Sequence, residues 1–286
     1  MNANFVKEEM CPMQYGFVIP GGDVATQVTV AQEIEAAGWD GVFIADAVYG
    51  IDPWVVLSAM AVKTERVRLG TLLTPASRRR PWKLASETAT LDHLSHGRMV
   101  LPVGLGAIDT GFGNVGEQTD RKVRAQLLDE TLELVTRFWS GKPFKFAGAH
   151  YQVDWDLEHW LYAPVQTPGI PIWVVGAWSY QRSMQRALRY DGLLTAKIQA
   201  DGSFPDITPA DIQAIKQYVD EQRTQESPFD IIVEGVTPIG DGEKAASIVA
   251  AYAQAGATWW IESMWTAPGG MDAVRERIKQ GPPRIA

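Results

Sequence analysis

Eight times along this chain a short apolar run is followed by a stretch with helical spacing, and that rhythm constrains the fold more than any single motif. "QYGFVIP" leads into Val30, Ile34 and Ala37 at i, i+4, i+7 spacing. "GVFIAD" (41–46) leads into "DPWVVLSAMAVKT", where Asp52 can cap a helix and Pro53 suits its first position. "VRLGTLL" (67–73) and "RMVLPVGL" (98–105) follow the same plan. So do "IPIWVVGA" (170–177), "GLLTAKIQ" (192–199), "FDIIVEGV" (229–236) and "TWWIESMW" (258–265). These runs are apolar on both faces, as strands of a parallel sheet covered by helices must be. Eight such units in about 270 residues predict an α/β protein, a (β/α)8 TIM barrel; a doubly wound open sheet is the alternative. One domain is expected over 14–286, after a loosely held leader at 1–13. The sizeable insertion, 141–169, carries "FKFAGAHYQV", which reads as a small hairpin before the fifth strand with Gly148-Ala149 near its turn.

A formal charge of −8 argues against a nucleic-acid partner. The single cysteine, Cys11, excludes an internal disulfide framework. No apolar run reaches the roughly 18 residues that a membrane helix needs. "MNANFVKEEMCP" lacks the apolar core of a signal peptide, so a cytoplasmic location away from membranes is expected.

In such a barrel, chemistry belongs at the C-terminal ends of the strands. That rule sorts the motifs. His93 and His96 end the third helix, with Gly97 expected at C′, and a strand of eight residues puts them about 25 Å from the functional end. "GFGNVG" (111–116) has the letters of a dinucleotide fingerprint but lies in mid-loop, where it suits a lid. His150 and His159 fall in the insertion, no strand ends in histidine, and G-x-S-x-G is absent, so neither a metal site nor a serine triad is expected. Polar residues do cluster at the predicted strand ends: Asp46, Thr71, Thr74, Ser179, Thr195, Lys197, Glu234 and Glu262, with Trp178 and Trp265 beside them. A polar and aromatic mouth without a metal or a dedicated nucleophile suits an organic cofactor. Gly176 to Ser179, where a helix begins, suits its phosphate.

"AQEIEAAGWDGVFIAD", "VRLGTLLTPASRRRPWKLASETATLDHLSHGRMVLPVGLG", "RAQLLDETLELVTRFWSG", "PVQTPGIPIWVVGAW" and "RALRYDGL" together resemble the luciferase-like flavin-dependent monooxygenase family, whose barrels use flavin or the deazaflavin F420. The resemblance implies a luciferase-like barrel with the ring at its mouth, over the third strand at a non-proline cis peptide matching Thr71–Leu72. Thr74, Gly104, Gly106 and Thr195 would lie beside the ring, and Gly176, Ala177, Trp178 and Ser179 would hold its phosphate. Asp46 matches the family's aspartate closing strand two. Ala47 and Ala107 stand where some F420-dependent dehydrogenases have histidine and glutamate, which argues against sugar-phosphate dehydrogenation. Arg78, Arg79 and Arg80 could meet an F420 tail, hold an FMN phosphate or pair on the surface.

The resulting expectation is a monooxygenase using reduced FMN and O2 on a small organic substrate. An F420-dependent reductase or dehydrogenase is the alternative, and a non-catalytic flavin-binding protein the second. Asp46, Glu234 and Glu262 are expected near the reacting centre, with Trp178, Trp265 and Trp54 walling the pocket and no metal. The resemblance also implies a homodimer and a separate flavin reductase as partners.

Overall fold

The structure is a computed structural model that describes residues 13–107, 110–157, 162–199 and 203–285. His159 and residues 1–12 of the expected leader lie outside them, and Met13 is buried in the core. The strands are β1 (Gln14–Ile19), β2 (Gly41–Ile44), β3 (Arg68–Thr71), β4 (Thr74–Pro75), β5 (Leu101–Gly104), β6 (Phe144–Ala147), β7 (Gln152–Trp155), β8 (Ile172–Trp178), β9 (Gly192–Lys197), β10 (Asp230–Gly235) and β11 (Trp259–Glu262). The helices are α1 (Val24–Ala36), α2 (Pro53–Ala61), α3 (Pro81–Leu94), α4 (Arg121–Trp139), α5 (Gln181–Ala187), α6 (Pro209–Gln222), α7 (Gly242–Gln254) and α8 (Gly270–Lys279). No helix among the described residues is long and apolar enough to cross a membrane.

The main sheet runs β3-β2-β1-β11-β10-β9-β8-β5-β4, with parallel pairing throughout. The ring is almost closed by a parallel bridge between Leu69 and Met99, where Leu69 N–H donates to Arg98 O and Val100 N–H to Leu69 O, both at 3.0 Å. β3 and β4 are two halves of one barrel position, and the eight expected strand–helix units are all present. A non-proline cis peptide separates those halves at Leu72–Leu73, one residue beyond the expected Thr71–Leu72, and a second lies at Trp178–Ser179. Helix starts follow local chemistry. Asp52 accepts from the amides of Trp54 and Val55 with Pro53 at the first turn, and Thr208 with Asp211 forms a capping box on α6.

Apolar side chains divide between two compartments because successive residues of a strand face opposite sides. One fills the layer between sheet and helices. The other fills the lumen, where Phe43, Trp173 and Trp259 pack edge to face or tilted at centroid distances of 5.0 to 6.4 Å. These rings fit because glycines face them: a Cβ on Gly16 would stand 2.7 Å from Phe43 Cε2, and one on Gly192 2.5 Å from Trp173 Cδ1. Trp173 Nε1 donates to Asp230 Oδ2 at 3.2 Å, so the one polar atom of that indole is satisfied.

The N-terminal end of the barrel is held by backbone caps. α3 ends in a Schellman motif, with Gly97 N–H donating to Asp92 O and His96 N–H to His93 O. The left-handed C′ position belongs to His96 (φ 54°), and Gly97 is the residue after it, a shift of one from the expected cap. Arg98 then donates to the carbonyls of Ser95, Ala61, Thr64 and Val67, and His93 Nε2 pairs with Ala163 O while its ring stacks on Tyr162. The expected hairpin is β6–β7, and the Glu130 carboxylate accepts from the turn amides of Ala149, His150 and Tyr151.

Truncating the lumen floor is the strongest test of this packing. Trp173→Ala is expected to cost about 3–5 kcal/mol, read as a lowered midpoint in urea unfolding with an unchanged slope.

Candidate functional site

Strand alternation decides which predicted residues reach the mouth. On β10, Ile232 belongs to the lumen and Val233 to the outer layer, so Glu234 points inward at the C-terminal end. On β11, Trp260 lies outside and Ile261 inside, so Glu262 points outward. On β2, Ile44 lies outside, and Asp46 follows it to that side. Of the three expected catalytic carboxylates, only Glu234 faces the lumen.

Glu234 is recessed in apolar surroundings, and burial pushes its carboxyl above the usual carboxylate range. Trp265 Nε1 donates to its Oε2 at 3.2 Å, which opposes that shift. Trp265 itself is 41 % exposed, so this hydrogen bond joins Glu234 to the surface of the mouth.

The other two carboxylates are committed elsewhere. Asp46 accepts from Arg78 Nη2 at 3.1 Å and from Arg79 Nε and Nη2 at 2.9 to 3.1 Å, and its own carbonyl accepts a further bond from Arg78. Arg79 also lies 5.4 Å from the Trp54 ring, so Trp54 packs in this clamp and is buried. Glu262 is 0 % exposed; it accepts from Thr237 N, Thr237 Oγ1, Trp260 Nε1 and Arg277 Nη2 at 2.6 to 3.3 Å. Arg277, equally buried, donates onward to Thr237 Oγ1 and Gly281 O. Both expectations are thus corrected in place: Asp46 ties the loop after β4 to β2, and Glu262 ties α8 to the sheet.

The expected cofactor residues divide in the same way. Leu72, Gly104 and Ala177 face the lumen, together with Leu73 and Val175. A Cβ on Gly104 would stand 2.9 Å from Val175 Cγ2 and 3.2 Å from Leu73 Cδ2, so bare backbone completes a flat apolar floor there. Thr71 and Thr74 are fully buried, and their hydroxyls bond each other at 2.7 Å. Thr195 Oγ1 donates to Ile232 O, and Lys197 pairs with Asp211 on α6. Gly176 is pressed against Leu193 and Met184, and Trp178 packs edge to face on Tyr218 of α6 instead of walling the mouth. At the end of β8 and in the loop after it, Ala177 N–H donates to Ser183 Oγ and Tyr180 N–H to Ala177 O, while the exposed Ser179 hydroxyl has no partner among the described residues. Gly106 takes a left-handed turn (φ 73°) against Pro75 and Phe112.

Two residues that sequence reasoning passed over organise the mouth. Phe112, in the middle of "GFGNVG", is 1 % exposed and meets the guanidinium groups of Arg78 at 5.2 Å and Arg124 at 5.0 Å. Arg124 donates to the carbonyls of Leu105 and Gly106, fixing the turn after β5. Its signal was available: Arg124 shares the buried stripe of α4 with Leu128, Leu132 and Val135, where a charge needs a partner.

Charge is unevenly spread over the mouth. Arg80, Arg121, Lys122 and Arg182 stand exposed at the starts of α3, α4 and α5 with no ion pair among the described residues, and Arg121 lies over the Tyr180 ring at 5.2 Å. Between the loops after β1 and β11 lies a shallow cleft of about 490 Å³, lined in part by Pro20, Trp265, Ala267 and Met271. Among the described residues no group of three histidine, cysteine, aspartate or glutamate side chains is placed to hold a metal.

Comparisons with known proteins bear on this geometry. A family model described as luciferase-like monooxygenase matches residues 12–278. An F420-dependent glucose-6-phosphate dehydrogenase of Nakamurella multipartita is 28% identical over 217 residues, covering 72% of this chain and 61% of that one. The chain spans about half the length of the curated relatives it matches at higher identity. Among solved structures, the coenzyme F420 dependent tetrahydromethanopterin reductase of Methanopyrus kandleri superposes with a TM-score of 0.74 at 16% identity, covering 94% of this chain and 98% of that one. The FMN-bound oxygenating constituent of 3,6-diketocamphane monooxygenase of Pseudomonas putida gives 0.64 at 18% identity, covering 83% and 71%.

The Glu262 and Glu234 carboxyls are expected to respond oppositely to neutralisation. Glu262→Gln leaves Arg277 uncompensated and is expected to cost about 3–5 kcal/mol in urea unfolding at pH 7. Glu234→Gln removes a carboxyl that folding prefers protonated. The folded state binds its proton more tightly than the unfolded chain, so the stability of the unmodified protein falls as pH rises past the unfolded value of about 4.3. Melting temperatures measured from pH 4 to 8 should show Glu234→Gln gaining on the unmodified protein across that range.

Proposed function

This chain belongs to the luciferase-like monooxygenase family, and from that premise we propose that it is a two-electron oxidoreductase working with a flavin-type ring at the barrel mouth, the deazaflavin of coenzyme F420. The observation that carries the reading is the pairing of a flat apolar floor with a band of free cations beside it. Leu72, Leu73 and Val175 with the bare backbone of Gly104 offer a surface on which a planar ring fits. Arg80, Arg121, Lys122 and Arg182 extend over the starts of three helices, a span suited to a long anionic tail rather than to one phosphate. Arg78 and Arg79 take no part, because Asp46 holds them. The relatives named as F420-dependent dehydrogenases support the same cofactor. Ala47 and Ala107 support a substrate other than a sugar phosphate.

When bound, such a ring supplies reversible two-electron chemistry. The chain's own groups would orient it and manage protons. Burial raises the Glu234 carboxyl above the usual carboxylate range, and its oxygen not engaged by Trp265 would be the atom to exchange a proton at the inner edge of the mouth. Trp265, hydrogen-bonded to that carboxyl, would help to limit the access of water to it. Asp46 and Glu262 act at one remove, by fixing the loops around the floor.

A second reading is the one expected from sequence, reduced FMN with O2 on a small organic substrate. The free Ser179 hydroxyl and neighbouring Arg182 favour it, since they suffice for a single phosphate. A separate flavin reductase would then be needed as a partner.

Separate titrations of the purified chain with F420 and FMN, followed by absorbance and fluorescence, test both readings. F420 is expected to bind at least tenfold more tightly, and Arg121→Glu with Arg182→Glu to remove most of that advantage. Tighter binding of FMN would favour the second reading, and binding of neither would overturn the flavin-type assignment.

A further inference from the structure

The mouth has two chemically different sides, and the cofactor reading uses only one. In the ring order, the free cations follow β4, β5 and β8, whereas the cleft lies beside β1 and β11. β9 and β10 separate them on one side and β2 on the other, and Arg121, Lys122 and Arg182, which follow β5 and β8, stand opposite the cleft across the barrel. No charged side chain lines the cleft among the described residues; Pro20, Trp265, Thr266, Ala267, Pro268 and Met271 do. On α8, Asp272 adjoins the lining residue Met271 in sequence and repels anions, while Arg275, which adjoins Val274, is paired with Glu33. One indole joins the cleft to the lumen: Trp265 lines the cleft, and its Nε1 bonds Glu234 at 3.2 Å.

We propose that this cleft is the substrate entrance and binding site, and that it selects an uncharged, mainly apolar small molecule carrying a single hydrogen-bond acceptor. This rests on the oxidoreductase reading for what happens next, but not for the binding itself. The cleft's about 490 Å³ lies within the range of small-molecule sites. An apolar body would lie against Pro20, Ala267 and Met271, and an acceptor pointed past Trp265 would meet the Glu234 carboxyl. An anion of the same shape would lose its hydration there with no cation to replace it. Anionic groups belong to the opposite side of the mouth, so cofactor tail and substrate would not compete.

Isothermal titration of the full chain with 2-octanone and with octanoate, each with and without F420, tests this. The ketone is expected to bind at least tenfold more tightly than the carboxylate, with a change in tryptophan emission that Trp265→Phe abolishes. Thr266→Lys, at an exposed position, is expected to reverse the preference by weakening the ketone at least fivefold and strengthening octanoate. Ala267→Asp should weaken the ketone with no gain for octanoate. Octanoate binding as tightly as the ketone, or F420 binding while neither probe does, would overturn the proposal. Ketone binding without F420 binding would sustain the cleft and remove the cofactor reading instead.

Discussion

The lumen of the barrel has to be filled, and the packing of Phe43, Trp173 and Trp259 against facing glycines is the interaction on which the rest depends. Eight parallel strands leave an interior that must reach crystalline packing density without polar atoms left unpaired. Three large rings from β2, β8 and β11 occupy its lower half, and Gly16 and Gly192 yield the room. Above them the inward positions turn small or flat: Leu72, Leu73, Gly104, Val175 and Ala177. The floor of the site is therefore the top of the plug. A ring laid there would rest on side chains that cannot move without opening a cavity.

The same alternation that fills the lumen sends charge outward. Asp46 with Arg78 and Arg79, and Glu262 with Arg277 and Thr237, lie in the layer between sheet and helices, where each buried charge meets an opposite one and several hydrogen bonds. Such networks carry little net stabilisation relative to apolar packing, but they are costly to break in half, so they fix geometry. One locks the loop after β4 against β2; the other locks α8 against β11. Phe112, held between Arg78 and Arg124, couples the first network to the glycine-rich loop. Glu234 differs: among the described residues the lumen offers it an indole and no cation, and of the three carboxylates it is the one that faces the mouth.

Much of this was legible in the residues. The eight alternations, the double-faced apolar strands, the Asp52-Pro53 helix start and the 144–155 hairpin are local patterns, and local patterns report local structure. The quiet role of His93 and His96 followed from counting strand length, though the left-handed cap fell on His96 where glycine was the obvious choice. The resemblance located the mouth and the third-strand cis peptide to within one residue. What it could not do was sort the strand-end residues by side. A one-residue change of phase moves a side chain to the opposite face of a sheet, and the ends of strands are where that phase is least visible.

Sequence by itself determined the architecture, the end of the barrel where chemistry belongs and the small set of residues near it. Those follow from hydrophobic period, capping chemistry and the handedness of βαβ units, all of which act over short stretches of chain. Tertiary structure alone decided that Glu234 faces the lumen while Asp46 and Glu262 face the helices. It alone set Arg121, Lys122 and Arg182 opposite the apolar cleft, and brought Trp265 to Glu234 across 31 residues of sequence. These are relations between different strands and loops. Their outcome depends on the closure and register of the whole barrel, which no single segment encodes.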